Sequence, residues 1–447
     1  MDKIFLVTEE IGTDKRVDLG GVSLVTKNIL KTLSENQYKT YLVIPAFKIH
    51  NEIKLNVKFK NVKIIKIKLD KRFENLNDLL SSKKLNFYQS QYNKKLKKFF
   101  KGVKENKVKK KIILNSILSS SVYDYLKKEN YEVISIVNNL WSIDFFSSIE
   151  YRKEYKPSEK KLNSIIKNFF NWFKFYDLNR KSIVLKILYK TSYLIKFTPL
   201  SYLRKEFKMI KKSDKLIFPS KHLLNYVNKN YPKIKRRKNY LLKHHIMTQN
   251  VKVKNYKEIN FYLINRLLKK QKMKFLLISR IHPQKGLILF FNSLKYFINK
   301  HPEYSENISF ALCGDFTKKN NLYFQKIEKI INQLPIKIIY FGKVDSKFKS
   351  FLFRDCDFFI LPSIYEPFGI SIIEALSYKK PIITTDCGGP ETILGEKYPL
   401  MIKRKNFKQS MEKILLRILS NPKRVIKVKN EYNYKKLKEL FIKVIND

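Results

Sequence analysis

Short apolar runs that recur along the chain constrain its fold more than any other feature. A first series occupies residues 4–7, 41–44, 112–114, 133–137 and 216–218. A second series, with shorter and more regular spacing, occupies residues 275–278, 308–313, 337–341, 358–361 and 381–384. Continuous apolar runs separated by helix-like stretches are typical of buried parallel strands. The pattern therefore predicts an α/β fold with two doubly wound sheets.

A weakly patterned, Lys-rich segment over residues 233–274 separates the two series and indicates a domain boundary. The chain length of 447 residues also favours more than one domain. We predict an N-terminal domain over residues 1–245 and a C-terminal domain over 246–430. A last helix, over 431–447, is expected to pack back on the N-terminal domain.

Two basic, aromatic segments, at about 70–111 and 150–212, are longer than ordinary connections between a strand and a helix. We interpret them as helical insertions in the N-terminal domain. In the second segment, apolar residues are interleaved with Lys. This pattern is consistent with a basic amphipathic surface, and also with a core-facing helix whose other face is solvated.

The chain is strongly basic, with 93 Lys and Arg against 38 Asp and Glu and a net charge of +55. Such a field attracts nucleic acid, anionic lipid headgroups and phosphorylated substrates without selecting among them. Abundant Asn, Ile, Tyr and Phe are equally consistent with a bias in genome base composition. The charge therefore identifies no partner by itself.

The cysteines and the N-terminus indicate a cytoplasmic protein. Cys313, Cys356 and Cys387 lack paired spacing, which argues against a disulfide framework or a zinc cluster. The first ten residues contain too short an apolar run for a signal peptide. Lys interrupts every apolar stretch before it reaches the roughly 20 residues of a membrane span. Any membrane contact is expected to be peripheral, at the inner face.

The most informative stretch, residues 358–391, contains two acids at a suggestive spacing. Glu366 lies in a turn, and Glu374 lies about one turn inside the helix that Gly369 opens. At 1.5 Å per residue this separation is roughly 12 Å, which matches the distance from a ribose across a diphosphate to a sugar. The helix N-terminus between the acids presents free N–H groups that suit the diphosphate. The turn has no basic neighbours in sequence, so two carboxylates with a purely structural role would repel each other. This argues for a functional role of both acids.

This stretch resembles the signature of the retaining GT-B glycosyltransferases of family 4. The resemblance is carried by the run Pro362-Ser363-Ile364-Tyr365-Glu366-Pro367-Phe368-Gly369, followed by Glu374-Ala375 and Gly388-Gly389. The resemblance implies that Glu366 contacts the donor sugar hydroxyls and helps to hold the reacting carbon. It implies that Glu374 accepts hydrogen bonds from the ribose, and that Phe368 and Gly369 belong to the donor-binding turn. It also implies that the reaction needs no catalytic metal or other cofactor.

A second motif, Ser279-Arg280-Ile281-His282-Pro283-Gln284-Lys285-Gly286, follows a buried strand and precedes an apolar helix. Two cations on such a loop suit a phosphate, because departure of a diphosphate builds up negative charge that fixed cations stabilise. The same family resemblance assigns this role to Arg280 and Lys285. In so basic a chain most lysines are solvent-exposed and have no specific role. The position of Arg280 and Lys285 on the loop before Gly286 distinguishes them from those lysines.

Gly20 and Gly21 precede a stretch with apolar residues at helical spacing. A glycine pair permits close approach of the backbone, and in the resembled family this loop faces the cleft and contacts the donor phosphate or the acceptor. Many relatives also carry a cleft His where this chain has Asn138 and Asn139. An amide can hydrogen-bond a sugar hydroxyl but cannot act as a titrating base. The resemblance therefore leaves Asn138 or Asn139 as a sugar or acceptor contact.

Asp355 and Asp357 are similar to the metal-binding pair of the other glycosyltransferase fold. They run directly into the apolar residues 358–361. This position favours a structural helix-to-strand connection over a metal site.

Together these features predict a GT-B enzyme, in which two Rossmann-like domains face a cleft and the C-terminal half binds most of the donor. The expected reaction moves a hexose, with retention of anomeric configuration, from a nucleoside-diphosphate sugar to a glycan or lipid-linked acceptor. Cell-surface polysaccharide or glycolipid synthesis is the expected setting. An anionic membrane surface is a further expected partner, and nucleic acid is not.

Two other interpretations remain open. The run Asp18-Leu19-Gly20-Gly21, together with Arg280 and Lys285, also fits a glycogen or starch synthase-like glucan polymerase. The charge alone fits an inactive, nucleic-acid-binding protein that retains this fold. Retention of the cations and both acids argues against the second interpretation.

Overall fold

The structure of the chain is a computed structural model that describes residues 3–8, 20–46, 59–69, 82–103, 110–115, 118–138, 199–231, 238–242, 273–314, 322–421 and 434–447. These residues form two compact units. Asn139 and residues 150–198 of the predicted second insertion lie outside the described residues.

The first unit contains a seven-stranded parallel sheet in the order β3-β2-β1-β4-β5-β6-β7. Its strands are β1 (Lys3–Val7), β2 (Lys39–Ala46), β3 (Val62–Lys68), β4 (Lys111–Leu114), β5 (Glu132–Ile136), β6 (Lys215–Phe218) and β7 (Lys238–Leu241). The first series of apolar runs forms β1, β2, β4, β5 and β6. The strand order reverses between β1 and β4, as the doubly wound prediction requires.

Helices connect these strands, and their apolar stripes are buried against the sheet. The helices are α1 (Gly20–Glu35), α2 (Ser82–Gly102), α3 (Ser120–Lys128), α4 (Pro199–Lys212) and α5 (Lys221–Asn230). On α1, Val25, Ile29 and Leu33 recur at helical spacing and belong to the core. On α2, Phe100 packs edge-on against Phe5 of β1, with ring centroids 5.5 Å apart. The basic segment at 70–111 therefore contributes a packed helix to this unit.

The second unit contains a six-stranded parallel sheet in the order β10-β9-β8-β11-β12-β13. Its strands are β8 (Met273–Ile278), β9 (Ile308–Cys313), β10 (Lys337–Gly342), β11 (Phe358–Leu361), β12 (Ile382–Thr385) and β13 (Met401–Ile402). The second series of apolar runs forms β8 to β12. The strand order reverses between β8 and β11, which are neighbours in the middle of the sheet.

The helices of the second unit are α6 (Leu287–Lys300), α7 (Leu322–Ile331), α8 (Ser346–Asp355), α9 (Ile370–Ser377), α10 (Gly389–Leu394) and α11 (Phe407–Ser420). The apolar helix expected after Gly286 is α6, and its Phe290, Phe291 and Phe297 are buried in the core. Phe275 of β8 stacks on Phe310 of β9, with centroids 5.0 Å apart. Large aromatic side chains thus fill the centre of this unit.

The last helix, α12 (Tyr434–Asn446), packs in the first unit, although the chain reaches it from the second. Its Leu437 and Phe441 belong to the same core as α1 and β1. Lys111 donates to the carbonyl of Ile445 over 3.0 Å. Cations near a helix C-terminus stabilise its unpaired carbonyls and its dipole.

The sequence did not predict three of the described strands, β3, β7 and β13, and each lies at a sheet edge. In β3 the apolar residues are interrupted by Lys63 and Lys66, and most of its side chains are only partly buried. The strand β7 falls in the segment interpreted as a domain boundary, and β13 has just two residues. An edge strand pairs with a neighbouring strand on one side only and is less enclosed than a central strand. It therefore needs no continuous apolar run. Among the described residues, no helix is long and apolar enough to cross a membrane.

Candidate functional site

The predicted donor-site residues of the second unit collect at one edge of its sheet. They lie on the loops that leave the carboxyl ends of β8 and β11, the two strands between which the strand order reverses. In open α/β sheets, ligands bind at such a switch point, outside the carboxyl ends of the strands. The topology therefore brings together motifs that are about 80 residues apart in sequence, as the 81-residue separation of Lys285 and Glu366 illustrates.

The loop after β8 forms a short 3-10 turn over Pro283–Lys285. The ring Nδ1 of His282 accepts from the backbone N–H of Gln284 over 3.2 Å and caps this turn. Burial, followed by the charges of Arg280 and Lys285, lowers the pKa of His282 to about 3. The ring is therefore neutral at physiological pH and serves as a fixed part of the loop.

The loop after β11 lies directly against this turn. The backbone N–H of Ile364 donates to the carbonyl of Gln284 over 2.8 Å. The hydroxyl of Thr385, at the end of β12, donates to the carbonyl of Ser363. The backbone bond from Ile364 fixes the spacing between the two loops without using the site side chains.

Gly286 ends the first turn with φ of +64°, and a Cβ atom at this position would overlap the carbonyl oxygen of Pro362. We expect Gly286→Ala to destabilise the second unit, because it adds both left-handed backbone strain and a steric overlap between the two loops. Gly342 has nearly the same φ of +61° but open space around it. The Gly342→Ala variant therefore isolates the backbone strain in the same assay.

Thermal unfolding should show a larger loss for Gly286→Ala than for Gly342→Ala. The strain common to both is on the order of 1 kcal/mol, and the overlap adds to it at Gly286 alone. Equal losses in the two variants would mean that the loop of Pro362 moves away freely, and that the two loops are not rigidly packed.

Lys285 and Glu366 form an ion pair at the centre of these loops. Lys285 Nζ donates to Glu366 Oε2 over 2.6 Å, and each side chain is 13% exposed. The hydroxyl of Ser363 also donates to Glu366 Oε2, over 3.3 Å. The expectation that the acids have no basic neighbours is wrong, because the fold supplies one from a distant loop. Arg280, on the same loop as Lys285, is exposed.

The second acid, Glu374, lies on α9, which Gly369 precedes. Its Oε1 accepts from Nζ of Lys349, on α8, over 2.6 Å. The side chains of Lys349 and Glu374 are 22% and 16% exposed. Both predicted acids are thus part-buried and each is paired with a lysine.

The turn that carries Glu366 is also joined to the loop after β12. The backbone N–H of Gly389 donates to the carbonyl of Glu366 over 2.7 Å, and Glu366 N–H donates to the carbonyl of Cys387 over 3.3 Å. A Cβ atom on Gly389 would overlap the backbone of Phe368. Phe368 itself is buried, with 3% of its surface exposed. The sequence assigned Phe368 to the donor-binding turn, and the structure shows that its side chain is buried there.

Arg404 is part of this arrangement and was not predicted. Its Nη1 donates to the carbonyl of Ile364 over 2.8 Å. Its backbone N–H and its Nε donate to Asp386 Oδ1 over 2.8 and 3.2 Å. The guanidinium fork thus connects the loop that carries Glu366 with the loop after β12. No local pattern marks one arginine among 93 basic residues.

We expect Arg404→Ala to weaken binding of a nucleotide ligand by about tenfold, because the loop that carries Glu366 loses a charged donor worth on the order of 1.5 kcal/mol or more. Arg417→Ala removes an exposed arginine from α11 and is the matched control. Calorimetric titration with nucleoside diphosphates measures both variants. Equal affinity in the two would exclude a role of Arg404 in holding the site.

In the first unit, Gly20 and Gly21 are the first residues of α1. Asn138 follows β5, and its Nδ2 donates to Asn115 Oδ1, after β4, over 2.6 Å. Asn115 Nδ2 in turn donates to the hydroxyl of Thr26 on α1 over 2.8 Å. A chain of hydrogen bonds therefore joins the carboxyl ends of β4 and β5 to α1 and fixes the amide of Asn138.

Asp355 and Asp357 have structural partners in the second unit. Asp355 Oδ1 accepts from Lys274 Nζ over 3.0 Å, and Asp357 Oδ2 accepts from the backbone N–H of Lys274 over 2.7 Å. Both contacts tie the end of α8 to the start of β8.

Two doubly wound parallel sheets, with paired acids and lysines at the switch point of the second, define a GT-B architecture. Residues 261–436 match the family model described as glycosyl transferases group 1. The resemblance to the group 1 glycosyltransferases is therefore confirmed over residues 261–436, and the predicted fold is confirmed.

Known proteins are similar to the chain in two ways. An uncharacterized glycosyltransferase of Methanocaldococcus jannaschii is 32% identical over 128 residues, which are 28% of this chain and 29% of that protein. The alignment thus spans less than a third of the relative. Sucrose-phosphate synthase of Thermosynechococcus elongatus has a similar structure, with a TM-score of 0.68, 13% identity and coverage of 100% of this chain and 98% of that one. HepE of Anabaena, in complex with UDP and glucose, gives a TM-score of 0.57 with 12% identity and complete coverage of both chains.

Proposed function

We propose that the chain transfers a hexose from a nucleoside-diphosphate sugar to a glycan or lipid-linked hydroxyl acceptor, with retention of anomeric configuration. The observation that carries the proposal is the pairing of Lys285 with Glu366 at the switch point of the second sheet. The match of residues 261–436 to the group 1 glycosyltransferase model supports it. The complex of HepE with UDP and glucose supports a nucleotide-sugar donor.

In this proposal Lys285 and Glu366 act together on the donor. An ammonium has three N–H donors, so Lys285 can keep its bond to Glu366 and still donate to the donor phosphate. Glu366, held by Lys285 and Ser363, accepts hydrogen bonds from the sugar hydroxyls. The ion pair thereby places the cation next to the sugar and fixes both groups before the donor binds.

The remaining parts of the donor follow from the neighbouring elements. The backbone N–H groups at the start of α9 point toward a diphosphate, and the helix dipole favours its negative charge. Arg280 adds a second cation for the leaving group, and Glu374 accepts from the ribose hydroxyls. Gly20, Gly21 and Asn138 of the first unit are proposed contacts for the phosphate, the acceptor or the sugar.

The proposed chemical step exchanges one glycosidic bond for another. The bond from the anomeric carbon to the phosphate oxygen breaks, and a bond to the acceptor oxygen forms on the same face of the sugar. The acceptor proton passes to the departing phosphate oxygen. Lys285 and Arg280 stabilise the negative charge that develops on the diphosphate, and no protein nucleophile takes part.

The net charge of +55 supports an acceptor that carries phosphate or lies at an anionic surface. We accordingly propose a cytoplasmic site of action at the inner face of a membrane, with a lipid-linked acceptor. A neutral glucan acceptor would gain nothing from such a field, which makes a glucan polymerase the weaker alternative.

The proposal is tested first by donor binding. The protein is incubated with UDP-glucose, UDP-galactose, GDP-mannose and ADP-glucose, and its melting temperature is compared with that of Glu374→Ala and Arg280→Ala. A bound donor raises the melting temperature by mass action, and either substitution should reduce the effect. A folded protein that no nucleotide sugar stabilises, but that binds DNA or RNA with a steep salt dependence, would overturn the proposal in favour of a nucleic-acid-binding protein.

A further inference from the structure

Lys349 forms an ion pair that links two helices beside the proposed donor site. It projects from α8, and its Nζ donates to Glu374 Oε1 on α9 over 2.6 Å. The two side chains are 22% and 16% exposed. A carboxylate at this degree of burial is costly to keep charged unless a cation lies beside it. Lys349 supplies that cation from a position 25 residues away in sequence.

The position of Lys349 is set by the packing of α8, independently of any ligand. The side chain of Asp345 accepts from the N–H of Phe348 over 2.7 Å and caps the helix. Phe348 and Ser350, on either side of Lys349, are buried. The lysine stem therefore starts from a fixed point on the helix.

Lys349 also lies close to the carboxyl end of β9. Its charge acts on the thiol of Cys313, the last residue of that strand, where burial raises the thiol pKa to about 12. The ammonium therefore acts near the carboxyl edge of the sheet, where the switch point also lies.

The two oxygens of Glu374 differ in their surroundings. Oε1 is taken by Lys349, whereas no group in the described parts of the chain donates to Oε2. A carboxylate held through one oxygen by a fixed cation keeps the other in a defined direction, able to accept two hydrogen bonds. Adjacent hydroxyls of a ribose offer two donors of the matching kind.

We propose that Lys349 is a positioning residue for recognition of the ribose: it orients Glu374 so that Oε2 accepts from the 2′- and 3′-hydroxyls of the nucleotide. This inference rests on the proposed function and deepens it. Lys349 acts through Glu374 and does not itself touch the sugar being transferred. The discrimination between ribonucleotides and deoxynucleotides therefore depends on a residue of α8.

The test compares nucleotide affinity with and without the ribose hydroxyls. Calorimetric titration measures binding of UDP, GDP and ADP, and then of the 2′-deoxy and 3′-deoxy forms of whichever binds most tightly. The proteins are wild type, Lys349→Met, Lys349→Arg and Glu374→Gln. Lys347→Met is the matched control, since Lys347 is an exposed lysine on the same helix.

For Lys349→Met we expect affinity for the ribonucleotide to fall about tenfold, as expected for loss of one charge-assisted contact. Affinity for the 2′-deoxy and 3′-deoxy forms, each of which keeps one hydroxyl, should fall less than affinity for the ribonucleotide. Discrimination should therefore shrink, as we expect also for Glu374→Gln. Lys349→Arg, which keeps the charge and the donor, should retain most of the discrimination. Lys347→Met should behave like the wild type.

The outcomes separate this inference from the function on which it rests. If Lys349→Met weakens the ribonucleotide and the deoxy forms equally, the lysine is merely structural or contacts another part of the ligand, and the inference is wrong. If the variant does not change discrimination at all, it is also wrong, while nucleotide binding stands. If the folded wild type binds none of the nucleotides, the proposed function fails together with it.

Discussion

Replacement of Lys285 by Met is expected to lower kcat for sugar transfer by about 10²–10³-fold, the loss typical when a fixed group that stabilises developing charge is removed. The donor phosphate would lose the cation that we propose to contact it. Glu366 would lose its 2.6 Å partner and with it the orientation that suits the sugar hydroxyls. Both losses act on the transition state more than on the bound donor. The fall should therefore appear in kcat more than in KM.

Steady-state kinetics with the donor identified by thermal stabilisation would measure the effect. Lys413→Met, which removes an exposed lysine from α11, is the control for the change in net charge. Lys285→Arg keeps a cation and should recover part of the activity if charge is what matters. A folded Lys285→Met protein with unchanged kcat would show that this lysine is a structural partner of Glu366 alone.

A double variant distinguishes a joint action of the pair from two separate contributions. If Lys285 and Glu366 act as one unit, Lys285→Met combined with Glu366→Gln should lose little more activity than either substitution alone. Losses that multiply would mean that each side chain contacts the donor independently of the other.

The central strands of both sheets could be predicted because they are buried on both faces and therefore read as continuous apolar runs. The strand β3 was missed for the same reason: it lies at the sheet edge, and Lys63 and Lys66 interrupt its apolar residues. The basic composition added to the difficulty, because lysines occur inside strands, helices and loops alike. Sequence periodicity thus marks the buried middle of a sheet better than its margins.

The candidate site divides in a similar way. Glu366, Glu374, Arg280 and Lys285 could be proposed from the sequence because each lies in a compact motif that contains a glycine. The partners Lys349 and Arg404 could not, since their contacts exist only after α8 and β13 have packed beside the site loops. The acids can be proposed from local sequence motifs, whereas the cations that pair with them are determined by tertiary packing.

The largest expected effect on stability lies in the first unit, at the buried pair of Glu132 and Lys215. Their side chains are 8% and 4% exposed, and Lys215 Nζ lies 2.6 Å from Glu132 Oε1. The same ammonium donates to the carbonyl of Val444 on α12 over 2.9 Å. One buried cation therefore joins β5, β6 and the last helix.

Removal of either partner is expected to lower the free energy of unfolding of this unit by about 3–5 kcal/mol, because it leaves an uncompensated charge in the core. Lys215→Met leaves the carboxylate of Glu132 buried without its cation, and it also removes the hydrogen bond to the carbonyl of Val444 on α12. Urea unfolding, followed by hydrogen exchange of peptides from β5, β6 and α12, would measure it. Lys435→Met, which removes an exposed lysine from α12, is the control.

The double variant Glu132→Leu with Lys215→Met provides the decisive comparison. If the cost of the single variants is that of a lone buried charge, removing both charges together should restore much of the stability, since well-packed apolar residues can replace a buried ion pair at little cost. The bond to Val444 would still be missing, so exchange in α12 should remain faster than in the wild type. A double variant as unstable as Lys215→Met would instead mean that the bond to α12, and not the ion pair, stabilises this unit.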